Sequence, residues 1–246
     1  MRRILSHSAG LTVHGFPGYE QSSNIPTLIQ VLDGAKPANT PAIRVDTVPG
    51  SKWRYSGGGY TVMQQLIIDV TGQPFPALMR ERVLKPFGML SSTYEQPLPP
   101  ERAGSTATGY YPDGKAVAGR WHVYPEMAAA GLWTTASDLA RFAIGIQQSL
   151  ARKSNPAISQ AVLSPAMTRE MLTIQKDDDG LGVFLQRRGA ELTFFHSGRD
   201  EGFDALMMAC TSTGQGAVIM INDNDDSGTA DKIVEAIARE YRWPPK

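Results

Sequence analysis

Four short apolar runs near the C-terminus decide the fold: Leu181–Gln186 (LGVFLQ), Glu191–His196 (ELTFFH), Phe203–Thr211 (FDALMMACT) and Ala217–Asn222 (AVIMIN). Each has strand length and is rich in β-branched or bulky residues, and Gly, Asp and Ser separate them at hairpin distances. They read as an antiparallel meander. Working outward, Asp231–Tyr241 reads as a closing amphipathic helix. Upstream the texture is helical and loop-rich. A short helix is predicted over Ile25–Leu32, with Pro26 in its first turn. Val62, Met63, Leu66, Ile67 and Val70 fall at helical spacing after Gly57-Gly58-Gly59, with Gly72 as a C-terminal cap. Further helices are predicted over Phe75–Leu84, stopped by Pro86, and over Pro165–Leu172, capped by Ser164. A helix carrying Leu139, Phe142, Ala143 and Ile146 on one face starts at Thr135 or Ser137. Residues 91–130 read as loop, with a turn at Tyr110–Gly114. Helices first and strands later mean segregated α+β, not alternating βαβ units. Residues 1–175 form a mainly helical lobe; residues 176–246 form the antiparallel strands and last helix of the same domain.

The 246 residues suffice for one large domain or two lobes with a sizeable core. Lys plus Arg number 24 and so do Asp plus Glu. This balance argues against nucleic acid as a partner and against a polybasic membrane anchor, because both depend on excess positive charge. No run of about 18 apolar residues is present to span a membrane. Arg2-Arg3 imitates the start of an export signal, but no apolar run follows, so no signal peptide is expected and the compartment is unknown. The single cysteine, Cys210, excludes an internal disulfide and a multi-cysteine zinc site.

Several chemical motifs fail. No Lys-Ser or Lys-Thr follows the glycine run, so it is not a phosphate loop. Ser6-His7-Ser8-Ala9-Gly10 falls one residue short of a nucleophile elbow and no strand precedes it, so Ser8 reads as an ordinary loop serine. Asp223–Gly228 starts like a calcium loop, but Val234 stands where the bidentate Glu belongs. A strand-to-helix loop with a capping side chain explains it better. His7, His14 and His122 have no partners at ligand spacing and read as structural or surface residues. No metal and no cofactor is expected.

Two segments remain: Trp53-Arg54-Tyr55-Ser56-Gly57-Gly58-Gly59-Tyr60, a tyrosine on a Gly-rich turn before a helix, and Phe195-His196-Ser197-Gly198 at a strand end. Taken alone, each also reads as packing. Five segments in order give them a context. They are Ile4–Leu11 (ILSHSAGL), Tyr55-Ser56-Gly57, Val83–Met89 (VLKPFGM), Ala130–Ala140 (AGLWTTASDLA) and His196-Ser197-Gly198. Together they resemble landmarks of the serine β-lactamase-like family, which includes class C β-lactamases, penicillin-binding-protein-like esterases and D-amino-acid-specific peptidases. The resemblance covers essentially the whole chain.

It implies a β-lactamase/transpeptidase-like fold and a serine hydrolase forming an acyl-enzyme on an ester, amide or β-lactam carbonyl. Tyr55 is then the acid/base, and His196 assists from the opposite wall. Gly57, Ser197, Gly198 and Arg199 border a small-molecule substrate. In this family the nucleophile sits in Ser-x-x-Lys upstream of the first landmark, but no serine here has a lysine three positions on. The expectation is a chain incomplete at its N-terminus, with little activity alone and self-association through an uncovered sheet. Gly57 replaces the family's asparagine and removes a side-chain amide; His196 replaces a lysine and removes a permanent cation, which Arg199 could restore. Both changes favour esters or other amides over β-lactams. The rival readings are a non-catalytic binding or regulatory relative that keeps the cleft, and a globular domain with accidental matches.

Overall fold

The computed structural model describes residues 1–151 and 162–245. The four strands form one antiparallel sheet in the order β3 (Phe184–Arg188), β4 (Glu191–Asp200), β5 (Phe203–Cys210) and β6 (Gly216–Ile221). A separate two-stranded ribbon pairs β1 (Tyr19–Glu20) with β2 (His122–Val123). The helices are α1 (Arg2–Leu5), α2 (Leu28–Asp33), α3 (Gly57–Thr71), α4 (Phe75–Met79), α5 (Met127–Ala130), α6 (Ala136–Leu150), α7 (Pro165–Met171) and α8 (Thr229–Glu240). The order is that of an α+β chain, helical lobe first and meander last.

Local chemistry explains the boundaries. Thr27, not Ile25, starts α2: its hydroxyl accepts from the Gln30 N–H, and the Gln30 side chain reaches back to the Thr27 N–H, a reciprocal cap that leaves Pro26 outside. The Ser56 hydroxyl caps α3 by accepting from the Gly59 N–H at 3.0 Å, and Gly72 closes it in the left-handed conformation. Helix α4 runs on as a π-wound turn over Arg80–Leu84, so helical backbone covers the expected span to Leu84. Thr135, rather than Ser137, caps α6.

The sheet is sandwiched. Alternate residues of β5 point to opposite faces. Met207 and Ala209 join Phe194, Ala143, Ile146 and Leu172 in the core against α6. Leu206, Met208 and Cys210 pack with Val234, Ala238 and Trp243 under α8. A third, smaller core around Leu11, Val31 and Ile43 holds the N-terminal loops to α2 and α3.

One strand differs from its expected length in a way that matters for function. The third motif does not end its strand: β4 continues through His196-Ser197-Gly198 to Asp200 before turning at Gly202, which takes φ +80°. The partner strand β3 stops where Phe184 faces Phe195. Among the described residues, 196–200 therefore pair only with β5, and no strand covers their other edge.

Candidate active site

That edge borders a cleft of about 1650 Å³ between the helical lobe and the sheet. Tyr55, Gly57, His196, Ser197, Gly198 and Arg199 all line it. The fold thus brings together both halves of the motif set, from the start of α3 and from β4. The Tyr55 and His196 rings lie 6.5 Å apart between centroids. The Phe184 ring fills the gap, 6.4 Å from Tyr55 and stacked 5.5 Å from His196.

Two histidines read as structural prove to flank Tyr55. His7 stacks on it at 4.1 Å and His14 tilts against it at 4.8 Å. His7 Nδ1 accepts from the Ser56 N–H at 3.1 Å, so the neutral ring carries its proton on Nε2. Its backbone is left-handed, φ +49°, a conformation uncommon away from glycine, and its carbonyl accepts from the Arg54 N–H. Burial lowers its pKa to about 4, with His196 and His14 adding like-charge penalties. His7 lies inside the Ile4–Leu11 landmark, which was the available signal; His14 had none. His122 lies elsewhere, its Nδ1 against the Pro17 carbonyl.

Tyr55 is held as a phenol. Burial raises its pKa, and the carboxylates of Asp179 and Asp200 raise it further. Among the described residues no cation offsets this. The Arg54 guanidinium turns away to Asp46 and to the Gly10 and Leu11 carbonyls. Burial lowers the pKa of His196, only partly opposed by its hydrogen bond to the Ser197 main chain, so it is neutral at pH 7. Arg199, expected as a substitute cation, donates to both Asp204 oxygens at 2.8 and 2.7 Å and to Asp226 at 2.8 Å. Its charge is already matched by two carboxylates.

Gly57 has a steric reason. A Cβ there would stand 3.0 Å from the His14 carbonyl oxygen, and at Gly58 2.6 Å from the Thr12 carbonyl oxygen. The N–H groups of both glycines donate to this loop, at 2.9 Å to His14 and 3.0 Å to Val13. The glycine run therefore seats the loop carrying His14 directly on the first turn of α3.

Three buried acids escaped the sequence reading, because the residues that surround them come from distant segments. Asp179 accepts from the Trp53 indole N–H beside Tyr55, and burial pushes it up to about 6. Glu126 and Asp200 are each pushed up to about 7, mainly by burial, with Glu126 adding a like-charge penalty at Asp200. Among the described residues no group of three or more His, Cys, Asp or Glu is arranged to hold a metal, and no helix is long and apolar enough to cross a membrane.

The model of the Beta-lactamase family matches residues 1–240. Among solved structures, the chain is similar to a D-amino acid amidase from Ochrobactrum anthropi SV3 complexed with L-phenylalanine amide, at 20% identity and TM-score 0.73, covering 98% of this chain and 72% of that one. It is also similar to a penicillin-binding protein from Bacillus halodurans, at 20% identity and TM-score 0.71, covering 96% and 71%. A D-stereospecific amidohydrolase from Streptomyces sp. matches at 20% identity and TM-score 0.69, again covering 96% and 71%. No curated protein matches. At these identities the solved structures speak for the fold. With a family model spanning nearly the whole chain, and four of the five landmark segments lining one cleft, the chain belongs to the Beta-lactamase family.

Proposed function

We propose that this chain forms the acid/base wall and substrate cleft of a serine hydrolase that cleaves an ester, amide or β-lactam carbonyl through an acyl-enzyme. The observation that carries this is the meeting of Tyr55 and His196 across one cleft, beside a strand edge with unused backbone groups. A substrate laid along residues 196–200 can pair with that edge, which positions its carbonyl between the two side chains. Tyr55 relays the proton: it takes it from the attacking serine and gives it to the leaving group. His196, neutral at pH 7, donates or accepts at the far wall but supplies no permanent charge. The amide-cleaving neighbours favour amides and esters within this set, and the matched charge of Arg199 weakens the case for a substrate carboxylate.

The nucleophile is the missing element, and the chain alone is inactive on this account. No serine has a lysine three positions on. Ser8 is buried with its hydroxyl against that of Ser6 at 3.0 Å, and Ser56 is committed to the α3 cap and to the Thr12 carbonyl. Tyr55 as a phenol also needs a cation before it can act as a base. The same fact favours the second reading, a binding relative that keeps the cleft without catalysis. Turnover of p-nitrophenyl esters and amino-acid p-nitroanilides separates them. This chain is expected at background, and a form extended by a Ser-x-x-Lys segment is expected to turn over. In that form Tyr55→Phe should cost at least about 100-fold, the scale of a lost acid/base group. Turnover unchanged by Tyr55→Phe contradicts the hydrolase assignment; no turnover in the extended form favours the binding relative.

A further inference from the structure

Three aromatic rings meet in the wall of the cleft beside the β4–β5 turn. Trp133 stands edge-on to Trp121 at 5.5 Å and 75°, and to Phe203 at 6.5 Å and 80°. All three line the cleft. Each is also held in place by neighbours. Trp133 is bridged to Thr93 by two backbone hydrogen bonds of 2.9 Å. The Arg120 guanidinium lies 4.5 Å from the ring centre of Trp121 and donates to the Ala103 and Thr106 carbonyls and the Thr108 hydroxyl. Arg120 does so at φ +82°, a strained backbone for a residue with a Cβ. Phe203 is seated on Gly109, where a Cβ would stand 2.7 Å from the ring. The Gln96 side chain ties the two tryptophan segments together: it donates to the Gly131 carbonyl at 3.1 Å and accepts from the Tyr124 N–H at 3.2 Å.

Packing leaves one group of this cluster unexplained. The Trp133 indole N–H is buried and has no acceptor among the described residues. A buried donor without a partner is costly, and an oxygen brought by a ligand would satisfy it. Arg120 already sets a positive charge against Trp121, so a cationic guest is disfavoured. A neutral ring, edge-on to its hosts, is favoured.

Strand register sets the distance to the chemistry. Phe203 pairs with Asp200, and His196, Gly198 and Asp200 share one face of β4. The cluster therefore begins about 13 Å along the strand from His196, four residues at the rise of an extended chain. A single amino-acid amide with its carbonyl at Tyr55 falls short of it. An extended peptide laid along the edge of residues 196–200 covers the distance residue for residue.

We propose that Trp121, Trp133 and Phe203 form a remote subsite for the aromatic side chain of an extended, neutral peptide-like substrate, about four residues from the carbonyl held between Tyr55 and His196. A main-chain carbonyl of that substrate accepts from Trp133 Nε1. The place of the reacting carbonyl rests on the hydrolase reading; the ring subsite does not.

The test is calorimetric titration of the 246-residue chain with the tetrapeptide Ac-Phe-Ala-Ala-Ala-NH2 and with its all-alanine analogue. The phenylalanine peptide is expected to bind at least about 10-fold more tightly, the scale of burying one aromatic ring. Phe203→Ala should lose about 10-fold for that peptide and leave the all-alanine peptide unchanged. Trp133→Phe keeps a ring and removes the donor, and should lose about 5-fold. Lysine in place of the phenylalanine should bind no better than alanine. Equal affinity for the phenylalanine and alanine peptides, no binding by either, or variants that stay folded and bind the phenylalanine peptide as before would overturn the subsite. A lysine peptide bound as tightly as the phenylalanine one would overturn the neutral aromatic guest. Because the readout is binding, its failure leaves Tyr55-dependent turnover of small esters untouched, and absence of that turnover leaves the ring subsite standing.

Discussion

Tyr55 sits between two imidazoles and opposite a third, and burial disfavours the charged form of two of them, His7 and His196. Burial sets both ends of this contrast: it depresses His7 and His196 and raises Tyr55, Glu126 and Asp200. The signs separate in a stability profile. His7 titrates near 4 in the fold and about 6.5 unfolded, so its contribution is complete above pH 6.5 and is lost as pH falls through 4. Glu126 titrates near 7 in the fold and about 4.5 unfolded, so its contribution is complete below 4.5 and is lost as pH rises through 7. Urea unfolding at pH 5 and pH 8 should therefore show Glu126→Gln gaining on the parent by about 2 kcal/mol at the higher pH. Identical pH profiles would mean that Glu126 is already compensated. Gly57 makes a steric prediction. Restoring the family's asparagine puts Cβ 3.0 Å from the His14 carbonyl, so Gly57→Asn should cost about 1 kcal/mol in urea midpoints and disturb the His14–Tyr55 contact.

At the scale of elements, the start of α6 ties the lobe together. Asp138 is buried, and its carboxylate accepts from the Ser91 N–H and the Ser92 hydroxyl at 2.8 Å each, and from Arg141 at 2.6 Å. Asp138→Ala would take the shared acceptor from the Ser91 N–H and the buried Ser92 hydroxyl and should cost about 2 kcal/mol. Thr135→Ala loses only the cap and should cost about 1 kcal/mol. Chemical denaturation of both variants checks the ranking, and an equal cost would contradict it. These elements also show what was legible in the sequence. The caps at Thr135 and Ser164 are local grammar and could be read directly, whereas the glycine run expected ahead of α3 proves to be its first turn, behind the Ser56 cap. The length of β4 could not, because its last residues pair with β5 while β3 has already stopped; strand ends are set by partners, not by propensity. The Tyr55–His196 pairing was legible through ordered landmarks. The flanking His7 and His14, and the buried acids Glu126 and Asp200, were not, since spacing along the chain says nothing of residues that loops bring together.

At the scale of the molecule, the cleft is larger than the roughly 300–1,000 Å³ of ordinary ligand pockets, and core residues such as Leu84, Met89 and Met207 line it. The strand β6 is an outer strand of the sheet, with Met220 42% exposed. An apolar cleft beside an unpaired edge favours association. Light scattering after size exclusion should show mass rising with concentration over tens of micromolar, and Met220→Lys, a charge on the edge strand, should reduce it. A strictly monomeric parent would mean that the cleft and edge are self-sufficient. The central claim is that this chain supplies the acid/base wall and no nucleophile. It is tested most directly by intact-mass analysis after incubation with a serine-reactive fluorophosphonate, on protein shown to be folded. The account predicts no added mass on the 246-residue chain and stoichiometric labelling once a Ser-x-x-Lys segment is joined to it. Stoichiometric labelling of the chain as it stands, mapped to Ser8 or Ser197, would contradict it and locate the nucleophile within these residues.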